Sequence, residues 1–245
     1  MSTSSQVASE GVVAFIDALG TKGISARTDP EEYARSWESL LTEWEQYKKE
    51  AAKTSGSSNL NYDIRAFSDT IIVTVKLNKR DKGTPIIESD RLLLHCARLV
   101  APMILNGIFK GVYFRGVISI GRFYQTQNSI IGPAVDEAAE WYTHMEWIGV
   151  STAPSAHFTI EKLVNVNEDV SKWFIKYKIP TKTGSSEEGW AVNWPRLSPE
   201  GVVGGGMSVY ELIVNAFARQ PISISAMPKF LNTLKFVEFS KTDTK

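Results

Sequence analysis

The sequence is short of the residues that build disulfides and zinc sites. Its 245 residues include one cysteine, Cys96, and three histidines. A single cysteine cannot form an intramolecular disulfide, which is typical of proteins in a reducing, cytoplasmic environment. The spacing of these residues matches no zinc motif. Any metal site is therefore expected to use carboxylates and a hard ion such as Mg²⁺ or Mn²⁺.

An excess of charge of one sign is also missing. Lys plus Arg and Asp plus Glu both number 27, so the formal net charge is zero. We therefore expect neither a nucleic-acid-binding protein nor a polybasic membrane protein. The most apolar stretch, residues 92–114, is interrupted by charged and polar side chains, whereas a membrane span needs about 20 mostly apolar residues. A soluble, cytoplasmic protein is expected.

The residues that are abundant favour a compact core, with 43% hydrophobic and 11% aromatic residues. Hydrophobic periodicity predicts strands at residues 12–16, 62–67, 70–76, 112–121, 148–151 and 190–194. Amphipathic spacing predicts helices from residue 30 to the low-complexity segment at 54–58, and at 90–109, 132–147, 155–163, 208–219 and 227–239. This order predicts an α+β fold with a mostly antiparallel sheet flanked by helices.

The composition changes beyond about residue 180. Residues 181–189 and 198–206 are rich in Gly, Ser, Pro and Glu. We therefore expect one domain at residues 1–180 and a C-terminal extension at residues 181–245 that packs on the same domain.

Two aspartates are placed where chemistry is often found. Asp17 follows the first buried strand, and Asp69 lies at the tip of a two-residue hairpin. Neighbouring strands are roughly 5 Å apart, so the two carboxylates could converge on one site. Either residue alone is equally well explained as ordinary turn chemistry.

Four segments resemble the catalytic domain of class III nucleotidyl cyclases. They are FIDALG (15–20), FSDT (67–70), RGVISIG (115–121) and GPAVDEAAE (132–140), in this order. The family carries a strand ending in Asp-Ile-x-Gly-Phe, a Gly-Asp hairpin, an Arg-x-Gly-Ile-His-x-Gly strand and a Gly-Asp-x-Val-Asn-x-Ala-x-Arg helix. Within it, the segments are most similar to the Pycsar pyrimidine cyclases of bacterial antiphage defence. The resemblance covers about residues 12–150 and implies the family's ferredoxin-like fold.

The resemblance implies a two-metal site. Asp17, the carbonyl of Ala18 and Asp69 take the positions that bind two Mn²⁺ or Mg²⁺ ions. The backbone amides of Leu19, Gly20, Thr21 and Lys22 match the loop that wraps the triphosphate. The Lys22 side chain is a second phosphate contact or a solvated loop lysine. The family also implies a homodimer with shared active sites and a separate effector that senses the cyclic nucleotide.

Two family positions carry different residues in this chain. The Asn that orients the ribose is replaced by Asp136, and the Arg that stabilises the transition state is replaced by Glu140. A carboxylate cannot supply the charge of an arginine. Either another cation substitutes, with Arg115, Arg122, Arg65 and Lys22 as candidates, or the protein is not a conventional purine cyclase. Both acids also suit the first turns of a solvated helix.

Base recognition also departs from the purine enzymes. The positions that select adenine or guanine hold Asp63 and Ser129. Tyr62 and Arg115 are further candidates for a smaller pocket, although both could instead be structural. Arg115 donors suit a uracil carbonyl, which favours UTP and a cyclic UMP product. A CTP-using or purine cyclase is the alternative, and a catalytically inactive nucleotide-binding domain is the alternative of another class.

Overall fold

The computed structural model describes residues 8–19, 29–54, 60–77, 85–197, 207–219 and 222–242. Its strands are β1 (Ser9–Leu19), β2 (Leu60–Phe67), β3 (Thr70–Leu77), β4 (Tyr113–Gln125), β5 (Ile130–Ile131), β6 (Gly149–Thr152), β7 (Phe174–Pro180) and β8 (Ser186–Val192). Its helices are α1 (Pro30–Thr54), α2 (Pro85–Phe109), α3 (Pro133–Tyr142), α4 (Pro154–Leu163), α5 (Glu168–Trp173), α6 (Val209–Ala218) and α7 (Met227–Thr242), with a short 3₁₀ helix at Trp194–Leu197.

The strands form one sheet in the order β2-β3-β1-β4-β6-β8-β7, with β5 paired to β4. Only the β4–β6 pair is parallel among the described strands. The α+β prediction with a mostly antiparallel sheet flanked by helices is confirmed.

Alternation along β1 separates the two faces of the sheet. Val12, Ala14 and Ile16 are fully buried in the core that α1 and α2 cover. Val13 and Phe15 point the other way, where Val13 packs with Ala134 of α3. Successive strand residues point to opposite faces, so Asp17 lies on the α3 face.

Local sequence explains where α1 begins. The Asp29 carboxylate accepts a hydrogen bond of 2.9 Å from the Glu31 amide, and Pro30 stands at the first helical position. This arrangement is an N-cap, which satisfies a backbone donor that the helix cannot satisfy itself. The predicted start at residue 30 is confirmed.

Several element boundaries differ from the predictions. The sequence predicts a loop from residue 18, whereas β1 continues through Leu19 because β4 pairs with it there. The sequence predicts an irregular return from residue 122, whereas β4 runs to Gln125. No strand is predicted over residues 164–179, yet β7 forms there by pairing with β8. In the first two cases a strand partner that is distant in sequence overrides the local pattern, whereas β7 and β8 form a local hairpin.

One helical stretch, Glu88–Phe109 in α2, is long and apolar enough to cross a membrane by length and composition. In the structure, 78% of its apolar window is buried within the fold. The predicted division of the chain at residue 180 stays a prediction, and β7 and β8 lie on either side of it as an antiparallel pair.

Candidate active site

The carboxylate-bearing residues Asp17 and Asp69 come together at one end of the sheet. Asp17 is opposite Thr70 of β3, the residue that follows Asp69. The Ala18 amide donates a 2.8 Å hydrogen bond to the Asp69 carbonyl, which ties the β2–β3 turn to β1. Two strands and one turn therefore fix the spacing of the two acids.

The turn that carries Asp69 is strained at Ser68. Ser68 has a φ of 57°, the left-handed region that side chains other than glycine occupy at a cost. Strain of this kind persists where the surrounding structure holds it, often at functional sites.

Arg115 of β4 is the direct neighbour of Asp17. Its Nη2 lies 3.3 Å from Oδ2 of Asp17, and the two side chains are only 12% and 15% exposed. Nη1 donates to the Met145 carbonyl at 3.2 Å, and the guanidinium lies 5.2 Å from the Tyr142 ring centroid. Tyr142 in turn stacks on Phe15 at 4.8 Å. Arg115 is thereby held in one orientation beside the acid.

A glycine permits this close strand contact. A Cβ on Gly116 would lie 2.6 Å from the carbonyl oxygen of Phe15, too close for any side chain. β4 can therefore approach β1 next to the Asp17–Arg115 pair only with glycine at this position.

The electrostatics of Asp17 follow from this crowding. Burial raises the pKa of the Asp17 carboxyl, the Arg115 guanidinium opposes the shift, and the negative charge of Asp69 adds to it. Burial also raises the pKa of Tyr33 of α1, with Asp69 contributing. Burial and the second carboxylate thus disfavour the ionised form of Asp17, and a cation bound between the two acids would favour it.

Lys182 is a cation that the sequence patterns do not indicate. It lies in the turn between β7 and β8, where burial lowers the pKa of its ammonium and the nearby Arg115 charge lowers it further. The Glu146 carboxylate and, to a smaller extent, the Asp17 carboxylate have the opposite effect on it. Lys182 is more than 150 residues from Asp17 in the sequence and lies in the turn of the β7–β8 hairpin. No local motif could therefore link it to the site.

The base-recognition candidates Asp63 and Ser129 belong to a second cluster. Arg65 Nε contacts the Asp63 carboxylate at 2.7 Å, and Arg65 Nη1 donates to the Gln127 carbonyl at 3.0 Å. Gln127 lies in the turn that Ser129 and Thr126 close by hydrogen bonds. Arg65 therefore links the strand of Asp63 to the turn of Ser129.

The two clusters lie on the same face of the sheet but at different positions along its strands. Asp63 is opposite Thr74, which is opposite Val13 of β1, four residues before Asp17. At about 3.3 Å per residue, the rows are about 13 Å apart along the sheet. Within one chain, the two carboxylates at the sheet end and the Asp63 cluster are separate.

Tyr62 does not join either cluster. It is 7% exposed on the helix-covered face, where its hydroxyl is hydrogen-bonded to Nδ1 of His95 at 2.9 Å. The helix residues Asp136 and Glu140 are exposed on α3. Arg122 is also exposed, and its register partner in β1 is Glu10, seven residues before Asp17.

Of the four phosphate-loop candidates, only Leu19 lies within the described residues. Leu19 is the last residue of β1 and is paired with Tyr113 of β4. Gly20, Thr21 and Lys22 lie outside the described residues.

The donor set at the sheet end suits a hard divalent cation. Asp17 and Asp69 offer carboxylate oxygens, the ligands that Mg²⁺ and Mn²⁺ prefer. In the described part of the chain, no three His, Cys, Asp or Glu side chains gather into a closed cage. Two carboxylates leave coordination positions for water and phosphate oxygens, as is usual for Mg²⁺ beside a nucleotide.

Comparison with solved structures identifies the fold. The catalytic core of a rhodopsin-guanylyl cyclase with converted specificity, in complex with ATPαS, superposes with a TM-score of 0.50 at 14% identity, covering 78% of this chain and 99% of that one. The non-canonical dimeric guanylyl cyclase domain of a RhoGC fusion protein from the aquatic fungus Blastocladiella emersonii gives 0.50 at 13% identity, with 75% and 96% coverage. No protein-family model and no curated protein matches the chain. The chain has the class III nucleotidyl cyclase catalytic fold.

Proposed function

We propose that this protein is a nucleotidyl cyclase that converts UTP to 3′,5′-cyclic UMP and pyrophosphate. A fold alone does not determine activity, so the proposal depends on the site. The observation that carries it is the convergence of Asp17 and Asp69 at one end of the sheet. The motif resemblance adds the pyrimidine preference and a role as second-messenger synthase in antiphage defence, with a separate cyclic-nucleotide effector.

The reaction joins the ribose 3′-oxygen to the α-phosphorus and breaks the bond between that phosphorus and the leaving pyrophosphate. Asp17 and Asp69 would hold two Mn²⁺ or Mg²⁺ ions, and the Ala18 carbonyl would be a further ligand. When bound, such ions supply the Lewis acidity that lowers the pKa of the 3′-hydroxyl and the charge that offsets the triphosphate. The amides of residues 19–22 bind the terminal phosphates.

The chain's own cations complete the charge balance. Arg115 is oriented by Asp17, Met145 and Tyr142, so its charge is preorganised and needs no rearrangement during the reaction. Lys182 forms no ion pair with a described residue and lies near enough to influence Asp17. We assign the charge of the missing helix arginine to Arg115 and Lys182, because Glu140 is an exposed acid.

Selection of the base is assigned to the Asp63 cluster. The Arg65 guanidinium donates hydrogen bonds, as a uracil O4 or O2 carbonyl requires, and the Asp63 carboxylate accepts from N3–H. Cytosine presents an amino group in place of O4, which a donor-only guanidinium cannot bind. We assign to Arg65 the donor role that the sequence suggested for Arg115, because Arg65 lies in the Asp63 cluster and Arg115 lies beside Asp17 at the metal end.

We propose a homodimer with shared sites, which the separation of the two clusters supports. A cluster about 13 Å from the carboxylates suits the opposite end of a site that a second subunit completes, because a two-fold axis presents each subunit's Asp63 end to its partner's Asp17 end.

The decisive experiment incubates the purified protein with Mn²⁺ and each of the four nucleoside triphosphates, and identifies products by mass. We expect cyclic UMP to predominate, also when UTP and CTP compete at equal concentration. Asp17→Asn and Asp69→Asn should each lower kcat by about 10³-fold or more, since each removes a ligand whose charge acts on the transition state. Glu38→Gln, on the exposed face of α1, is the matched control.

Each contrary result has a definite meaning. Predominant cyclic CMP or a purine product would overturn the assignment of Asp63 and Arg65. Full activity in either aspartate variant would overturn the two-carboxylate site. No product from any triphosphate would favour an inactive nucleotide-binding domain.

A further inference from the structure

A cavity separate from the candidate active site lies between α3, α4 and the β7–β8 pair. Its volume is about 210 Å³, and none of its lining residues is Asp17, Asp69 or Arg115. Apolar walls come from Trp141, Met145, Phe158 and Ile179. Sites for drug-sized ligands typically measure about 300–1,000 Å³, so this one suits a single ring with a short chain.

Ser151 gives the cavity a polar group that lacks a partner. The residue is 2% exposed, and its hydroxyl forms no hydrogen bond within the described part of the chain. The neighbouring Thr152 hydroxyl, by contrast, donates to the Trp190 carbonyl at 3.3 Å. A buried hydroxyl without a partner costs free energy that a ligand with a polar group would recover.

The charge at the cavity is negative. Glu187 and Glu188 of β8 both line it, and His157, whose Nε2 lies 3.7 Å from the Glu161 carboxylate, is the other ionisable lining residue. Glu188 is opposite Lys178 of β7, whereas Glu187 is opposite the apolar Ile179 and forms no ion pair with any described residue. The rim also carries Phe158, whose ring is 64% exposed. An apolar ring with a positively charged amine matches this combination of walls and charge.

The cavity is connected to the candidate active site through Met145. The Met145 side chain lines the cavity, and its carbonyl accepts the 3.2 Å hydrogen bond from Arg115. Trp141, another lining residue, precedes Tyr142, whose ring lies beside the Arg115 guanidinium. A molecule in the cavity would therefore contact the segment that orients Arg115.

We propose that this cavity binds a small aryl-alkyl amine and that the bound amine alters the orientation of the Arg115 guanidinium. The proposed binding does not depend on the proposed function, whereas the effect on Arg115 as a catalytic group rests on it.

The test uses 2-phenylethylamine as the probe, with neutral 2-phenylethanol and anionic phenylacetate as matched analogues. Calorimetry and ligand-observed NMR on the full chain without nucleotide measure binding, so the outcome does not depend on activity. We expect the amine to bind best. Glu187→Gln should weaken it about two- to fivefold, as for an exposed ion pair, and Glu187→Lys should transfer the preference to phenylacetate. Glu168→Gln on α5 should change nothing.

Ser151→Ala separates ligand binding from folding. Because the hydroxyl has no described partner, the variant should be at least as stable as the wild type in denaturant unfolding, while its affinity for the amine falls. Equal binding of all three probes, or binding unchanged by Ser151→Ala and Glu187→Gln, would overturn the site. Competition by UTP would also overturn it, since the cavity would then belong to the nucleotide site.

The second readout is the rate of cyclic UMP formation with and without 2-phenylethylamine. A change in kcat that Glu187→Gln shifts to higher amine concentration supports the link to Arg115. Binding with no change in rate would overturn that link, and the binding result remains decisive if the protein proves inactive.

Discussion

At the scale of single residues, the contrast between Tyr62 and Asp63 shows how strand alternation decides a role. The two are adjacent in β2, yet Asp63 shares the face of Asp17 while Tyr62 is buried under the helices with His95. Sequence spacing made both candidates for one pocket. A one-residue difference places them on opposite faces of the sheet.

The burial of His95 predicts a loss of stability in acid. Burial, with smaller contributions from the Arg98 and Arg91 charges, lowers the pKa of His95 to about 4. The unfolded chain binds this proton near pH 6.5, so stability is present above about pH 6.5 and is lost as pH falls toward 4. The loss from this group between pH 7 and pH 5 should be about 2 kcal/mol.

Urea unfolding of the wild type and of His95→Gln across this pH range measures the effect. Glutamine does not titrate, so the variant should show a shallower pH dependence even if it is less stable at pH 7. His144→Gln is the control for the loss of a histidine elsewhere in the chain. Parallel curves for the wild type and His95→Gln would show that His95 is not the group responsible.

At the scale of elements, the hairpin that carries Asp69 combines strain with function. Ser68 occupies the left-handed region at φ 57°, where the resembled family has glycine. Relief of this strain in Ser68→Gly should raise the free energy of unfolding by about 1 kcal/mol. The larger conformational entropy of glycine in the unfolded chain should offset part of that gain. Equilibrium unfolding in denaturant measures the change.

The β7–β8 turn offers the reverse substitution as a control. Gly184 has a φ of 79°, and apart from its chain neighbours no atom of the described residues lies within 4 Å of the place that a Cβ would occupy. Backbone strain alone therefore opposes a side chain there, and Gly184→Ser should lower stability by about 1 kcal/mol. If Ser68→Gly is destabilising while Gly184→Ser behaves as expected, contacts of the Ser68 side chain outweigh its strain.

Elements with strong local signals were predictable from the sequence. Asp29-Pro30 began α1, and the Ser68–Asp69 turn joined two strands as expected. The sequence prediction missed β7 although a signal was present, because Ile175, Tyr177 and Ile179 alternate with Lys176 and Lys178 as in a half-buried strand. Asp17 and Asp69 could be singled out in advance because each lies beside a strand with a clear local signal. Lys182 and Tyr142 reach the site only through contacts with segments that are distant in sequence.

At the scale of the whole molecule, the separation of the two clusters predicts how variants combine. Asp17, Asp69 and Lys182 lie at one end of the sheet face, and the rows of Arg65 and Asp63 lie about 7 Å and about 13 Å from Asp17 along it. In a two-fold dimer, each site would take the carboxylate end from one subunit and the Asp63 end from the other. Variants at opposite ends should therefore complement each other, and variants at the same end should not.

The experiment mixes subunits after separate purification and measures cyclic UMP formation. Asp17→Asn and Arg65→Ala should each be inactive alone, but half of the dimers in an equal mixture are mixed and contain one intact site of two. The mixture should therefore recover about a quarter of the wild-type activity. Asp17→Asn mixed with Lys182→Ala is the matched control, since both changes affect the same end and no dimer gains an intact site. Recovery in neither mixture, together with an active wild-type monomer in light scattering, would place the complete site within one chain.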